Sequence, residues 1–90
     1  MADDMFGASA YPNPFTSTAT IEFEFAHPTA VVVAVYNLNG DKVAELYNGN
    51  VEGGKSYQVQ FNGESLPSGV YIYKIDGGDV HAYDKIVLMK

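Results

Sequence analysis

The stretch "AVVVAVYNLNGDKVAEL", residues 30–46, decides the fold that we expect for this chain. Its first half is apolar on both faces, which is typical of a strand at the centre of a sheet. It then reaches Asn39-Gly40, a pair that favours a type I′ hairpin turn because both central positions of that turn need a positive φ. "DKVAEL" returns as the partner strand. The sequence therefore predicts an antiparallel β-hairpin at this point.

Shorter strand-like runs lie on both sides of this hairpin. Residues 19–25 alternate between apolar and polar side chains, and so do residues 56–61, so each run predicts a half-buried strand. "VYIYKI" and "VHAYDKIVLMK" follow, separated by the turn "DGGD". No segment of ten or more residues keeps a helical period between caps. We therefore expect an all-β fold, a two-sheet antiparallel immunoglobulin-like sandwich of about seven strands.

The segment "LPSGVY", residues 66–71, supports this fold. A Leu-Pro-x-Gly connection followed by Tyr71 is similar to a tyrosine corner, in which the phenol hydroxyl bonds back to the preceding connection. An ordinary loop before a strand with a core tyrosine is the alternative.

Length and composition bound the domain organisation. Ninety residues, 47% of them hydrophobic, fit one globular domain. We expect residues 1–10 to be a flexible leader or linker and residues 11–90 to form the immunoglobulin-like domain. The chain has no cysteine, so a disulfide, a thiolate metal site and a cysteine nucleophile are all excluded.

The charge pattern disfavours nucleic acids and membranes as partners. The formal net charge is −6, and the five basic residues are scattered lysines without any arginine. A nucleic-acid module needs clustered cations to displace counterions from phosphates. No apolar run approaches the ~18 residues that a membrane span requires, so we expect neither nucleic-acid binding nor membrane insertion.

Two prolines precede the first alternating run, in "YPNPF", residues 11–15. Each proline fixes its own φ and favours an extended residue before it, so the segment should be stiff and nearly polyproline II. Since Pro12 and Pro14 have no N–H to donate, we expect the segment at a sheet edge, where it prevents edge-to-edge pairing. Tyr11 and Phe15 should anchor it against the sandwich.

Four blocks of the sequence resemble a known family. "YPNPF" with "TSTATIEFEF" is similar to the opening of the C-terminal sorting domain of the type IX (Por) secretion system of Bacteroidetes and related bacteria. "VAVYNLNGDKV" resembles that family's "xVYDLxGRxV", "LPSGVYIYKI" resembles its "LpaGvYfykl", and "KIVLMK" resembles its closing "KkmvlxK". The blocks occur in the same order and span Tyr11 to Lys90. The chain departs from the family at Asp41-Lys42, where an arginine is usual, and at Asn37, where aspartate is common.

The resemblance implies a module without chemistry of its own. Such a domain directs a secreted cargo protein through the outer membrane to the cell surface, and a sortase-like peptidase often removes it afterwards. Its implied partners are the outer-membrane secretion machinery, that peptidase and an N-terminal cargo domain. No cofactor is implied.

The same resemblance gives the candidate recognition residues: Pro12, Asn13, Pro14, Gly69, Tyr71, Lys85, Val87 and Lys90. The last strand, residues 85–90, is the strongest candidate, because an exposed terminal strand offers unpaired backbone groups for strand addition. The same residues could instead only complete a sheet, and for Gly69 and Tyr71 that structural role is favoured. Edge strands could also allow weak self-association.

Other site chemistries are weakly indicated. His27 and His81 come with no motif, and no serine has the context of a nucleophile elbow, so we expect neither catalysis nor a histidine metal site. Asp76, Asp79 and Asp84 could supply oxygens to calcium, although aspartates are common in tight turns. Exposed Tyr36, Tyr47 and Tyr83 could form a sugar-stacking surface. The alternative function is therefore an accessory carbohydrate-binding or spacer module of a secreted polysaccharide-degrading enzyme.

Overall fold

A computed structural model describes residues 5–90 of the chain. These residues form seven strands: β1 (Met5–Tyr11), β2 (Thr18–Phe25), β3 (Thr29–Tyr36), β4 (Lys42–Val51), β5 (Ser56–Asn62), β6 (Gly69–Gly77) and β7 (Val80–Leu88). The strands make two antiparallel sheets, with the orders β1-β2-β5 and β4-β3-β6-β7. This confirms the predicted all-β immunoglobulin-like sandwich. Within residues 5–90 there is no helix that could cross a membrane.

The core lies between the two sheets and follows the predicted alternation. Ala19, Ile21, Phe23 and Phe25 of β2 are buried, and the residues between them are only half-buried. Tyr71, Tyr73 and Ile75 of β6 face them from the other sheet and are also buried. Burial of large aromatic and aliphatic side chains on both inner faces is the main contribution to the stability of such a sandwich.

The predicted hairpin exists, but its turn is not of type I′. β3 and β4 pair antiparallel, and Gly40 has a φ of 89°, whereas no residue other than glycine has a positive φ within residues 5–90. The Asn37 carboxamide oxygen instead accepts the N–H groups of Asn39, at 2.9 Å, and of Asp41, at 3.0 Å. This side chain stabilises a turn that needs only one positive φ, at the glycine.

The N-terminal segment differs from the expectation. Residues 1–4 of the expected leader lie outside the described residues, but Met5–Tyr11 form strand β1, which pairs with β2 along its length. Small side chains such as Gly7, Ala8 and Ala10 give almost no hydrophobic alternation, so the period-two signal that marks a strand is weak here.

The tyrosine corner is present. The Tyr71 hydroxyl donates to the backbone oxygen of Pro67 at 2.6 Å, and the ring is 4% exposed. The bond ties the connection between β5 and β6 to the start of β6, as the "LPSGVY" pattern predicts.

Candidate functional site

The two sequence blocks at opposite ends of the domain meet in space. Residues 12–14 form successive bends, and the Tyr11-Pro12 and Asn13-Pro14 peptide bonds are cis, so the segment is not the extended polyproline II run that the sequence suggested. It lies along the outer edge of β7, and Phe15 forms a parallel bridge with Leu88. The prolines thus lie at a sheet edge, as expected. The edge is strand β7 of the four-stranded sheet.

Phe15 fixes this segment in place. Its ring is 1% exposed and packs against Phe61 with 5.6 Å between the ring centroids. Its N–H donates to the Val87 oxygen and its oxygen accepts the Met89 N–H, both at 2.8 Å. Tyr11 is different, because its ring is 42% exposed and its hydroxyl donates to Glu22 on the outer face of the other sheet. Only Phe15 of the two predicted anchors enters the core.

The Asn13 side chain completes the contact by forming the hydrogen bonds that a residue of a neighbouring strand would form. Its carboxamide oxygen accepts the Val87 N–H at 2.9 Å, and its amide nitrogen donates to the Lys85 oxygen at 3.3 Å. A carboxamide has one donor and one acceptor side, as a peptide group does, so it can replace a paired residue. Pro12 and Pro14 flank it and have no N–H to leave unpaired.

These bonds change the expectation for the last strand. Alternate residues of an antiparallel edge strand direct their backbone groups outward, and in β7 these include Lys85 and Val87. Both groups of Val87 and the oxygen of Lys85 are taken by Asn13 and Phe15, and the Lys85 N–H donates to the Asp84 carboxylate at 2.8 Å. The end of β7 is therefore closed to strand addition, and the part of its edge that stays open lies at His81 and Tyr83.

The outward side chains of β7, unlike the backbone groups at its end, remain available for contact with a partner. The register pairs Val87 with Val70, Lys85 with Ile72 and Tyr83 with Lys74. Because the intervening residues Tyr71, Tyr73 and Ile75 point into the core, these pairs must lie on the outer surface of the four-stranded sheet. We call Val70, Ile72, Lys74, Tyr83, Lys85 and Val87 the β6–β7 outer face.

This face contains residues that the sequence analysis did not select. The tyrosines of "VYIYKI" were considered in the sequence analysis, but the residues between them were not. Both tyrosines are buried, whereas Ile72 and Lys74 lie on the outer surface. A shallow depression of about 510 Å³ opens here beside Ile72, Lys74 and Tyr83. The Lys74 ammonium lies 4.9 Å from the centre of the Tyr36 ring on β3, which extends the face across a third strand.

Lys90 lies beyond the strand and is held by the β5–β6 connection. Its N–H donates to the Ser68 hydroxyl at 3.0 Å, and its ammonium donates to the Glu64 backbone oxygen. Pro12, Asn13, Pro14, Lys85, Val87 and Lys90 are thus brought to one side of the molecule.

Gly69 and Tyr71 have structural positions. Gly69 starts β6 opposite Leu88, and its φ of 155° is one that side-chain-bearing residues rarely adopt. Tyr71 is buried by the tyrosine corner. Two residues further along the same strand, burial and then the nearby Asp84 carboxylate raise the pKa of Tyr73.

The remaining candidates do not converge on a site. Among residues 5–90, no three histidine or acidic side chains come together as a metal-binding group. Asp76 instead bonds His81 at 2.8 Å. Tyr47 packs against Phe23 and Tyr57, with ring centroids 5.9 and 6.0 Å away, so it does not join Tyr36 and Tyr83 on the outer surface.

A protein-family model described as the secretion system C-terminal sorting domain matches residues 9–89. The chain belongs to this family. The match covers both blocks that meet at the β7 edge, as well as the hairpin and the tyrosine corner between them. A search of curated protein sequences gave no significant match.

The function of this chain follows from its family. It is a C-terminal sorting signal for type IX secretion, and it belongs to a protein that is secreted or attached to the cell surface. Its partners are the secretion machinery and an N-terminal cargo region. Sorting domains of this family are in general non-catalytic, and an accessory carbohydrate-binding or spacer role has no support.

Proposed function

We propose that the secretion machinery recognises this sorting domain in its folded form, through the surface where residues 12–14 meet the end of β7. The observation that carries this proposal is the pair of hydrogen bonds from the Asn13 side chain to the backbone of Lys85 and Val87. They join the first and the last of the family blocks, since Lys85 and Val87 lie 72 and 74 residues after Asn13 in the sequence.

The recognition residues divide into two roles under this proposal. Pro12, Asn13, Pro14, Lys85, Val87 and Lys90 form the contact surface. Gly69 and Tyr71 act indirectly, because they set the conformation of β6 and of the connection before it. The contact uses side chains, since the outward backbone groups from Lys85 to Val87 already have partners.

A delivery assay tests this proposal. A reporter protein is fused ahead of the chain and expressed in a host that has the type IX machinery. We expect Asn13→Ala and Val87→Thr to lower the fraction of reporter on the cell surface, while Gln60→Ala, on the other sheet, leaves it unchanged. Circular dichroism of each purified variant verifies folding. Full delivery by folded Asn13→Ala and Val87→Thr variants would contradict the proposed surface.

We also propose that a sortase-like peptidase separates the domain from its cargo after export. The family resemblance supports this step. Mass spectrometry of the delivered reporter provides the test: loss of the whole β-sandwich is expected, and a reporter that keeps residues 5–90 at the surface contradicts it.

The domain itself is proposed to be non-catalytic. The general character of the family supports this. Turnover of a substrate by the purified chain would overturn this part of the proposal.

A further inference from the structure

The outer surfaces of the two sheets are chemically opposite. The three-stranded sheet presents Thr20, Glu22 and Glu24 from β2, beside Gln58 and Gln60 from β5. Of its two carboxylates, that of Glu22 accepts from Tyr11 and Ser56, each at 2.9 Å. This surface is polar.

Along residues 70–74 of β6 and 83–87 of β7, the outer surface of the four-stranded sheet is apolar and cationic instead. Val70, Ile72 and Val87 are half-buried and contiguous on the β6–β7 outer face, and Ala34 of β3 beside them is only 2% exposed. An apolar strip on a sheet surface that solvent can reach is a typical mark of a protein contact.

The charged residues beside this strip are lysines, although the molecule as a whole is acidic. The chain has eleven acidic residues and five lysines. Lys42 and Lys55 form salt bridges with Glu45 and Glu52. Lys74 and Lys85, which lie on adjacent strands of the β6–β7 outer face, form none with any residue from 5 to 90. The two lysines therefore place positive charge beside the apolar strip, while the next acidic residue on that side of β6, Asp76, is bonded to His81.

We propose that the β6–β7 outer face docks a protein partner that presents apolar side chains bordered by carboxylates. This inference rests on the proposed function and deepens it, because the face begins at Lys85 and Val87 and extends that surface across β6 to Tyr36. Val70, Ile72 and Val87 pack against the apolar part of the partner, and Lys74 and Lys85 pair with its carboxylates.

The chemistry of the face favours a protein over a membrane or a second copy. An anionic membrane repels a chain of net charge −6, and two lysines are too few to offset that repulsion. A symmetric pairing with a second copy would bring the lysines of both faces into one contact, and the six residues of the face include no carboxylate to balance them.

The delivery assay with a charge-matched pair of double variants tests this docking face. Lys74→Gln/Lys85→Gln removes the two lysines of the β6–β7 outer face, which form no salt bridge among the described residues. Lys42→Gln/Lys55→Gln removes the two lysines that form salt bridges and gives the same net charge. We expect the first to lower surface delivery at least about threefold, and the second to leave it within the error of the assay. Ile72→Thr, which keeps a β-branched residue in the strand, is expected to lower delivery as well.

The outcomes separate this inference from the proposed function. Equal delivery by both double variants and by Ile72→Thr, all folded, overturns the docking face but leaves the sorting function intact. A lack of delivery of the unmodified fusion is a failure of the function itself. Sedimentation equilibrium of the purified chain gives the last outcome: self-association that Lys74→Gln/Lys85→Gln abolishes overturns the inference, because a second copy then occupies the face.

Discussion

The Tyr71 hydroxyl shows how much of this fold depends on single polar atoms. It is buried beside Phe61 and has the Pro67 oxygen as its hydrogen-bond partner, at 2.6 Å. Removing the hydroxyl leaves that backbone oxygen without its donor in a partly buried position.

We therefore predict that Tyr71→Phe lowers the free energy of unfolding by about 1–2 kcal/mol. Urea denaturation measures the change. Tyr83→Phe is the matched control, because Tyr83 is 72% exposed, and we expect it to have no measurable effect. An equal effect of the two substitutions would show that the corner bond contributes nothing specific.

Asn13 is the second residue whose side chain acts on the backbone. We predict that Asn13→Ala speeds hydrogen exchange of the Val87 amide and lowers the free energy of unfolding by about 1 kcal/mol, because Val87 loses its acceptor. Exchange measured by nuclear magnetic resonance gives the result residue by residue. Asn13→Asp keeps an acceptor for that N–H but removes the donor to Lys85, so the Val87 amide should keep most of its protection. Unchanged exchange at Val87 in Asn13→Ala would show that the bond is not formed in solution.

Strands β2 to β7 were predictable because each carries a local signal. Alternation over 19–25 and 56–61 indicated β2 and β5, and Asn39-Gly40 located the hairpin of β3 and β4. β1 was missed because its small residues carry no alternation, and the turn type was wrong because the Asn37 side chain replaces a second positive φ. The contact between residues 12–15 and β7 has no local signal, since neither segment shows in its own sequence which edge it will meet.

β1, β2 and β5 are linked on their outer face by the Glu22 carboxylate. The Tyr11 hydroxyl, and after it the Ser56 hydroxyl, donate to this group and lower its pKa from the ordinary value of 4.5. A carboxyl group with a lower pKa in the folded state stabilises the fold above its unfolded pKa, and the contribution disappears as the pH falls through the folded pKa.

We predict that the unmodified chain loses stability more steeply below about pH 4.5 than Glu22→Gln does. Thermal melting at a series of pH values measures the difference. Tyr11→Phe removes the main donor and should lie between the two. Parallel pH profiles for all three proteins would contradict the role of this carboxylate.

The turn from β4 to β5 carries the chain from one sheet to the other and packs tightly on the end of β2. The Gly54 N–H donates to the Phe25 oxygen at 2.8 Å, and a methyl group added at Gly53 would lie 2.6 Å from the Ala26 backbone oxygen. Backbone atoms at that distance cannot move aside as a flexible side chain can.

Gly53→Ala is therefore expected to lower the free energy of unfolding by about 1–3 kcal/mol. Gly7→Ala in β1 is the control, because a methyl group there meets nothing within 4 Å, and its effect should be close to zero. Denaturant midpoints of the two variants give the comparison. A Gly53→Ala variant as stable as the unmodified chain would show that the turn packs less closely than described.

At the scale of the whole molecule, the last residues belong to the core as well as to the surface. Ile86 and Leu88 are 0% and 1% exposed. Losing two such side chains costs about 2–5 kcal/mol each, which is comparable to the ~5–15 kcal/mol that stabilises a typical domain.

We predict that deletion of residues 85–90 unfolds the domain, whereas deletion of Met89 and Lys90 alone leaves it folded. Dispersion of the amide resonances distinguishes the two outcomes. A folded chain lacking residues 85–90 would show that β7 is dispensable to the sandwich. Loss of export after the longer deletion reports unfolding as well as recognition, so single substitutions on the β6–β7 outer face are the sharper test.

The bridge between Phe15 and Leu88 also bears on mechanical load. The cargo region lies on the N-terminal side, so we expect a pull from it to reach β1 first and to separate that edge strand from β2. The next anchored residue is Phe15, whose ring is inside the sandwich and whose backbone is bonded to Val87 and Met89. We expect the tension to pass into the second sheet at this residue, so that the first strand can detach while the remaining six strands stay together.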